Sequence, residues 1–305
     1  MIFQLRTVVC FCLLGLVQSA LLRADEIAKS VGRGGDNQPS DVLTVQLALN
    51  QLPRDGAITS ELLETDGLAG PITVAAIENF QRQTLGADAV TGLIEADGAV
   101  MERLNELVRA QPLTYRIARV ALGERLFWRD GERTEREPVV TDRLRDYWLA
   151  TDQTFTAEQI HDPAFQSEWP WSAAFISWVM KRAGSGDDFF YADSHWQYTA
   201  AAKANRLKKN DNPFQAFPIR DLPVTVGDVI VKRRSTSTAT YENIERGHPT
   251  HGDIVIEFKD GEVVTIGGNV SNSVRTTMVP IDDEHKVTNK LFFAIVDVDP
   301  NAKGE

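Results

Sequence analysis

Residues 251–266 read His251-Gly252-Asp253-Ile254-Val255-Ile256-Glu257-Phe258-Lys259-Asp260-Gly261-Glu262-Val263-Val264-Thr265-Ile266. Two apolar, β-branched runs flank Lys259-Asp260-Gly261, which is a hairpin turn signal. Similar short runs stand at 229–231 and 292–298. Upstream the period changes. Apolar residues around 117–122 and 144–148, and the spans 172–183 and 194–207, predict four helices, the third ended by Gly184. Helices first and strands later predict an α+β domain over about 112–300, with helices packed on an antiparallel sheet. The polar stretch 233–250 has no period and is expected to form a long loop.

Residues 41–110 carry a different pattern. Val42, Val45, Leu49 and Leu52 fall at helical spacing, as do Val74, Ile77 and Phe80, and then Val100, Leu104 and Leu107. This predicts a small, self-contained three-helix module. Residues 21–40 are polar and Gly-rich toward their end and are expected to be a flexible linker. Residues 1–20 read as a signal peptide: Arg6, an apolar run over 8–17, then Ser19 and Ala20, with cleavage expected between 19 and 24. A retained N-terminal anchor is the alternative. Both cysteines, Cys10 and Cys12, lie in that run. The processed chain then has no disulfide, no Cys-ligated zinc and no thiolate. The expected location is secreted or periplasmic.

The full chain has 305 residues, 43% apolar and 25% charged, which is the profile of an ordinary folded protein. A net charge of −11 argues against nucleic acid as a partner, because binding it needs a cationic surface. No segment after the signal is apolar over the ~20 residues a spanning helix needs, so no stable membrane insertion is expected once the signal is removed.

In the first block, Asp66-Gly67, Gly70-Pro71-Ile72-Thr73, Ala76-Ile77 and Phe80-Gln81 occur in that order, with Val45-Gln46 and Leu49-Asn50 upstream. This resembles the peptidoglycan-binding domain family, and the resemblance implies peptidoglycan as a partner. The residues from 55 to 65 depart from it as an insertion.

The second region shows Trp171-Ser172-Ala173-Ala174-Phe175, Gly227-Asp228-Val229-Ile230, His251-Gly252-Asp253-Ile254-Val255 and Gly267-Gly268-Asn269-Val270. This resembles the CHAP and NlpC-type cell-wall hydrolases of papain-like fold, and more closely an uncharacterised bacterial branch of that fold. Serine stands where those enzymes carry cysteine. The resemblance implies an amide hydrolase with Ser172 as nucleophile, His251 as base, and Asn269 or Asp253 orienting the ring. A nucleophile at a helix start gains from the dipole and the free N–H groups there. His195, Trp171 and Trp196 are candidate substrate-binding residues. No cofactor and no metal are expected, since the histidines show no ligand spacing. Two other readings stand beside this one: a non-catalytic wall-binding protein with a degenerate hydrolase fold, and a serine esterase or acyltransferase of the envelope.

Overall fold

The structure is a computed structural model that describes residues 26–53, 61–234 and 236–302. The expected signal peptide lies outside the described residues.

The chain is α+β. Its first part holds β1 (Val31–Gly32), α1 (Pro39–Asn50), α2 (Pro71–Thr84), β2 (Leu93–Ile94) and α3 (Ala99–Arg109). Pro39 and Pro71 open the first two helices, where a missing N–H costs nothing. Val42, Val45, Leu49, Ile77, Phe80 and Leu104 close one core. The polar motif residues tie its turns together. Gln46 Nε2 donates to Asp66 Oδ1 at 2.7 Å, and Gln46 Oε1 accepts from Gly67 N at 2.9 Å. Gln81 Nε2 donates to Leu93 O at 2.8 Å and holds β2. Gly67 is required as glycine: its φ is 73°, and a Cβ there would lie 2.9 Å from Pro39 O.

Two expectations need correction. The described part of the expected linker, 26–40, is built into this unit. Ile27 and Val31 are buried in its core, β1 pairs with β2, and the Asp41 carboxylate accepts from the amides of Ala28 and Lys29. The three-helix unit is also not self-contained. Leu43 and Leu47 lie on a second apolar face of α1 and belong to the core of the following domain. This is why α1 is buried at every position from Asp41 to Asn50.

The second part begins with α4 (Leu113–Phe127), α5 (Thr141–Leu149), α6 (Ala157–His161), α7 (Pro163–Glu168), α8 (Ser172–Arg182) and α9 (His195–Lys208). Strands β3 (Phe214–Pro218), β4 (Val229–Arg233), β5 (Thr250–Lys259), β6 (Glu262–Gly267), β7 (Arg275–Pro280) and β8 (Phe292–Val298) follow. They form one antiparallel sheet in the order β3-β8-β4-β5-β6-β7. The helices cover one face through Val229, Val231, Ile254 and Ile266. The other face buries Ile230, Val255, Val263 and Ile295 under Ile219, Val224 and Val287 of the connections. Burial on both faces explains the unbroken apolar runs of β4 and β5. The described residues between β4 and β5, 234 and 236–249, form a loop as expected apart from one short 3-10 turn at Ile244–Arg246, and the loop is pinned down: Lys203 Nζ donates to the carbonyls of Tyr241 and Glu242, and Ile244 is fully buried.

Candidate functional site

Ser172 opens α8, and the first bond within that helix runs from Phe175 N to Trp171 O. The amides of the first turn are therefore left without intrahelical acceptors. Ser172 Oγ is hydrogen-bonded to His195 Nε2 at 2.7 Å. His195 opens α9, and one turn later Tyr198 places its hydroxyl 2.6 Å from His195 Nδ1. These three side chains are buried.

A second chain runs along the sheet. His251 Nε2 and Asp253 Oδ1 are 2.9 Å apart, and Lys232 Nζ donates to Asp253 Oδ2, also at 2.9 Å. The register explains this: β4 pairs Lys232 with His251 and Ile230 with Asp253, so the Lys232 amine reaches its diagonal neighbour. The two chains meet edge to face, with the rings of His195 and His251 5.2 Å apart. Glycines make the room. A Cβ at Gly252 would lie 2.3 Å from Tyr198 Oη, and one at Gly267 would lie 2.0 Å from Asp253 Oδ1.

The electrostatics of the chains differ. Burial pushes the His195 imidazole well below its usual range; repulsion from His251, Arg234 and Lys232 adds to this, and Asp253 opposes it. Burial also pushes the Tyr198 phenol well up, with Asp253 contributing. Burial works against ionisation of Asp253, yet His251 and then Lys232 outweigh it and hold the carboxyl well below the usual carboxylate range. His195 is thus a neutral imidazole at neutral pH, and Asp253 is a carboxylate.

The sequence-derived candidates separate accordingly. Ser172, His195, His251 and Asp253 come together. The imidazole bonded to Ser172 is that of His195, not the expected His251. Asp253 holds the His251 ring. Asn269 makes no hydrogen bond to either histidine among the described residues. It sits at φ 55° in the turn after β6 and lines a cleft. Trp171 was expected to offer a binding face but is 2% exposed. It stacks on Trp128 at 5.1 Å and on Tyr147 at 5.6 Å, and its Nε1 donates to Glu135 Oε2 at 2.6 Å. Trp171 is therefore core. Trp196 is half-buried against Gly247 and does not line the cleft. Two residues of the site, Tyr198 and Lys232, are missing from the sequence reading. The His-x-x-Tyr spacing at the start of α9 was a legible signal for the first. Lys232 needed the register.

The cleft has a volume of about 330 Å³ and is bordered by Pro170, two residues before Ser172, and by Arg136, Arg234, Asn269 and Asn272. Among the described residues no helix is long and apolar enough to cross a membrane. Nor do three His, Cys, Asp or Glu side chains among them form a group suited to a metal ion.

A family model described as "Uncharacterized protein conserved in bacteria (DUF2272)" matches residues 135–297, more than half of the chain, and the chain belongs to that family. The match spans α5 to β8 and holds every member of the two hydrogen-bond chains. No curated protein and no solved structure matches the chain.

Proposed function

We propose that this DUF2272 member is an exported, cell-wall-targeted hydrolase that cleaves an amide of the wall peptide, with Ser172 as nucleophile and His195 as its base. The observation that carries the reading is the 2.7 Å bond between Ser172 Oγ and His195 Nε2 at the first turn of α8. A serine hydroxyl is a weak nucleophile and depends on an adjacent base. When His195 Nδ1 donates its proton to the Tyr198 oxygen, the Nε2 lone pair is free to accept the serine proton. Ser172 Oγ then attacks the carbonyl carbon while its proton moves to His195. The oxyanion faces the free amides of the helix start. The Asp253 carboxylate favours the imidazolium, against burial and the repulsion of His251, Arg234 and Lys232. His195 returns the proton to the leaving amine, and water reverses the sequence to release the acid. The wall peptide as substrate is supported by the likeness of residues 40–108 to peptidoglycan-binding domains and of the Ser172, His251 and Asn269 contexts to CHAP and NlpC-type enzymes of papain-like fold.

One observation favours a second reading, the non-catalytic wall binder: Ser172 is 2% exposed, as a purely structural hydroxyl would be. Incubating purified sacculi with the processed protein and with Ser172→Ala, then analysing the supernatant by mass spectrometry, separates the two. Wild type is expected to release muropeptides with a newly freed amine and acid, and Ser172→Ala to release none. If both proteins are retained on sacculi and neither releases product, the site is not catalytic.

A further inference from the structure

We infer that the cleft beside Ser172 is a carboxylate subsite, which takes a free carboxylate of a short peptide close to the bond under attack. The inference rests on the hydrolase reading for the role of that peptide, but the charge of the cleft stands by itself.

The whole chain carries a charge of −11, so its average surface repels anions. The cleft departs from that average. Two guanidinium groups, Arg136 and Arg234, border it, together with the uncharged Gln166, Ser167, Asn269 and Asn272. Among the described residues, no carboxylate forms an ion pair with either arginine. Arg234 is tethered through Nε to Thr250 O at 3.4 Å, next to His251, and its charge acts on His195. The one carboxyl in the lining, Glu135, is buried, with Oε2 accepting from Trp171 Nε1. Burial raises its pKa, against the Trp171 hydrogen bond and the attraction of Arg136, so Glu135 offsets part of the Arg136 charge, and among the described residues none of its hydrogen bonds is made to either arginine.

A volume of about 330 Å³ lies at the small end of ligand sites. It suits a peptide of about two residues rather than a polymer. Guanidinium groups bind carboxylates through paired N–H donors, and the neighbouring carboxamides satisfy peptide groups without adding charge. Pro170 borders the cleft two residues before Ser172, and Arg234 of its lining acts on His195, so a carboxylate held there lies on the side of the cleft toward the Ser172–His195 pair.

Titration calorimetry on the full-length processed protein tests this. The protein carries Ser172→Ala so that nothing is turned over, and the probes are N-acetyl-alanyl-alanine and its C-terminal amide. The acid is expected to bind about tenfold tighter than the amide, equivalent to about 1.4 kcal/mol. Arg136→Gln and Arg234→Gln should each shrink that ratio, and the double variant should bring it to one without weakening the amide. Equal affinities for acid and amide overturn the subsite. So does displacement of the acid by an equal concentration of inorganic phosphate, which marks an unselective anion site. A neutral fluorophosphonate reacting with wild-type Ser172 reports on the nucleophile without using the arginines. Labelling without acid preference sinks the subsite alone, and acid preference without labelling sinks only the nucleophile.

Discussion

The molecule holds two buried polar networks of similar make-up and opposite outcome. At the junction of the helical unit and the α+β domain, the Glu124 carboxylate accepts from Thr65 Oγ1 at 2.9 Å, from the Arg143 guanidinium and from the Tyr147 hydroxyl. The Tyr147 oxygen accepts in turn from Trp128 Nε1 at 2.8 Å. Arg143 also lies over the Phe127 ring at 4.3 Å and donates to Thr65 O. The carboxylate thus has its cation and both of its oxygens have donors. The site network has the same ingredients, Tyr198, Lys232 and Asp253, but does not close. It ends on Ser172, whose hydroxyl stands against a neutral imidazole near a cleft. Burying polar groups is costly in both places. Saturation turns the first network into a rigid clamp between the two parts of the chain. The open end of the second leaves a lone pair for an outside molecule. On the hydrolase reading, closure is what separates the structural cluster from the reactive one.

The comparison predicts that site variants lose chemistry and junction variants lose stability. The largest effect is expected at the open end. Ser172→Ala and His195→Ala should each cut kcat/KM about 10³-fold or more, and the double variant should be no worse, because the two residues act as a unit. His251→Ala should cost only about 10- to 100-fold, since Ser172 keeps its base. Initial rates on muropeptide substrate, with circular dichroism to verify folding, decide this. A greater loss at His251 than at His195 would transfer the base role to the strand.

Next comes the closed network. Glu124→Ala strands the buried Arg143 charge and should cost about 3–5 kcal/mol. At about 2–4 °C per kcal/mol for a chain of this size, Tm should fall by about 10 °C in calorimetry. Activity well below Tm should be retained. A shift under about 2 °C would mean that the clamp carries little of the stability.

The third prediction concerns pH. Protonated His195 cannot accept the serine proton, so kcat/KM falls as pH falls through the His195 pKa. Burial holds that pKa well below 6.5, so the rate should stay level from pH 8 to 6.5 and decline only below that. A midpoint above 6.5 would place the base elsewhere. The smallest effect belongs to Tyr198→Phe. It removes the partner that fixes the His195 tautomer and should lower kcat by about tenfold, with little change in KM. No loss would reduce Tyr198 to packing.

What could be read from the chain was local. Span 172–183 became α8, 194–207 became α9, and the apolar runs became β4, β5, β6 and β8. Strands β3 and β7 escaped notice because they are edge strands. The first ends in Pro218 and the second begins Arg275-Thr276-Thr277, so neither shows a buried run. Ile27 and Val31 were the hint that the polar leader packs, and Leu43 and Leu47 were the hint that α1 has a second face.

By itself, then, the sequence determined the α+β class, most element positions, and the residue types that meet near Ser172. It did so because periodicity and turn chemistry act over a few residues. Only the tertiary structure decided which histidine faces Ser172. His195 and His251 both stand at the start of their elements, and the choice between them depends on how α9 lies across β5, where Gly252 lets Tyr198 and His195 approach. It also decided that Lys232 neutralises Asp253, that Trp171 is core, and that the helical unit is clamped to its neighbour through Thr65, Glu124 and Arg143. Those contacts join residues far apart in the chain, and no short-range pattern records them.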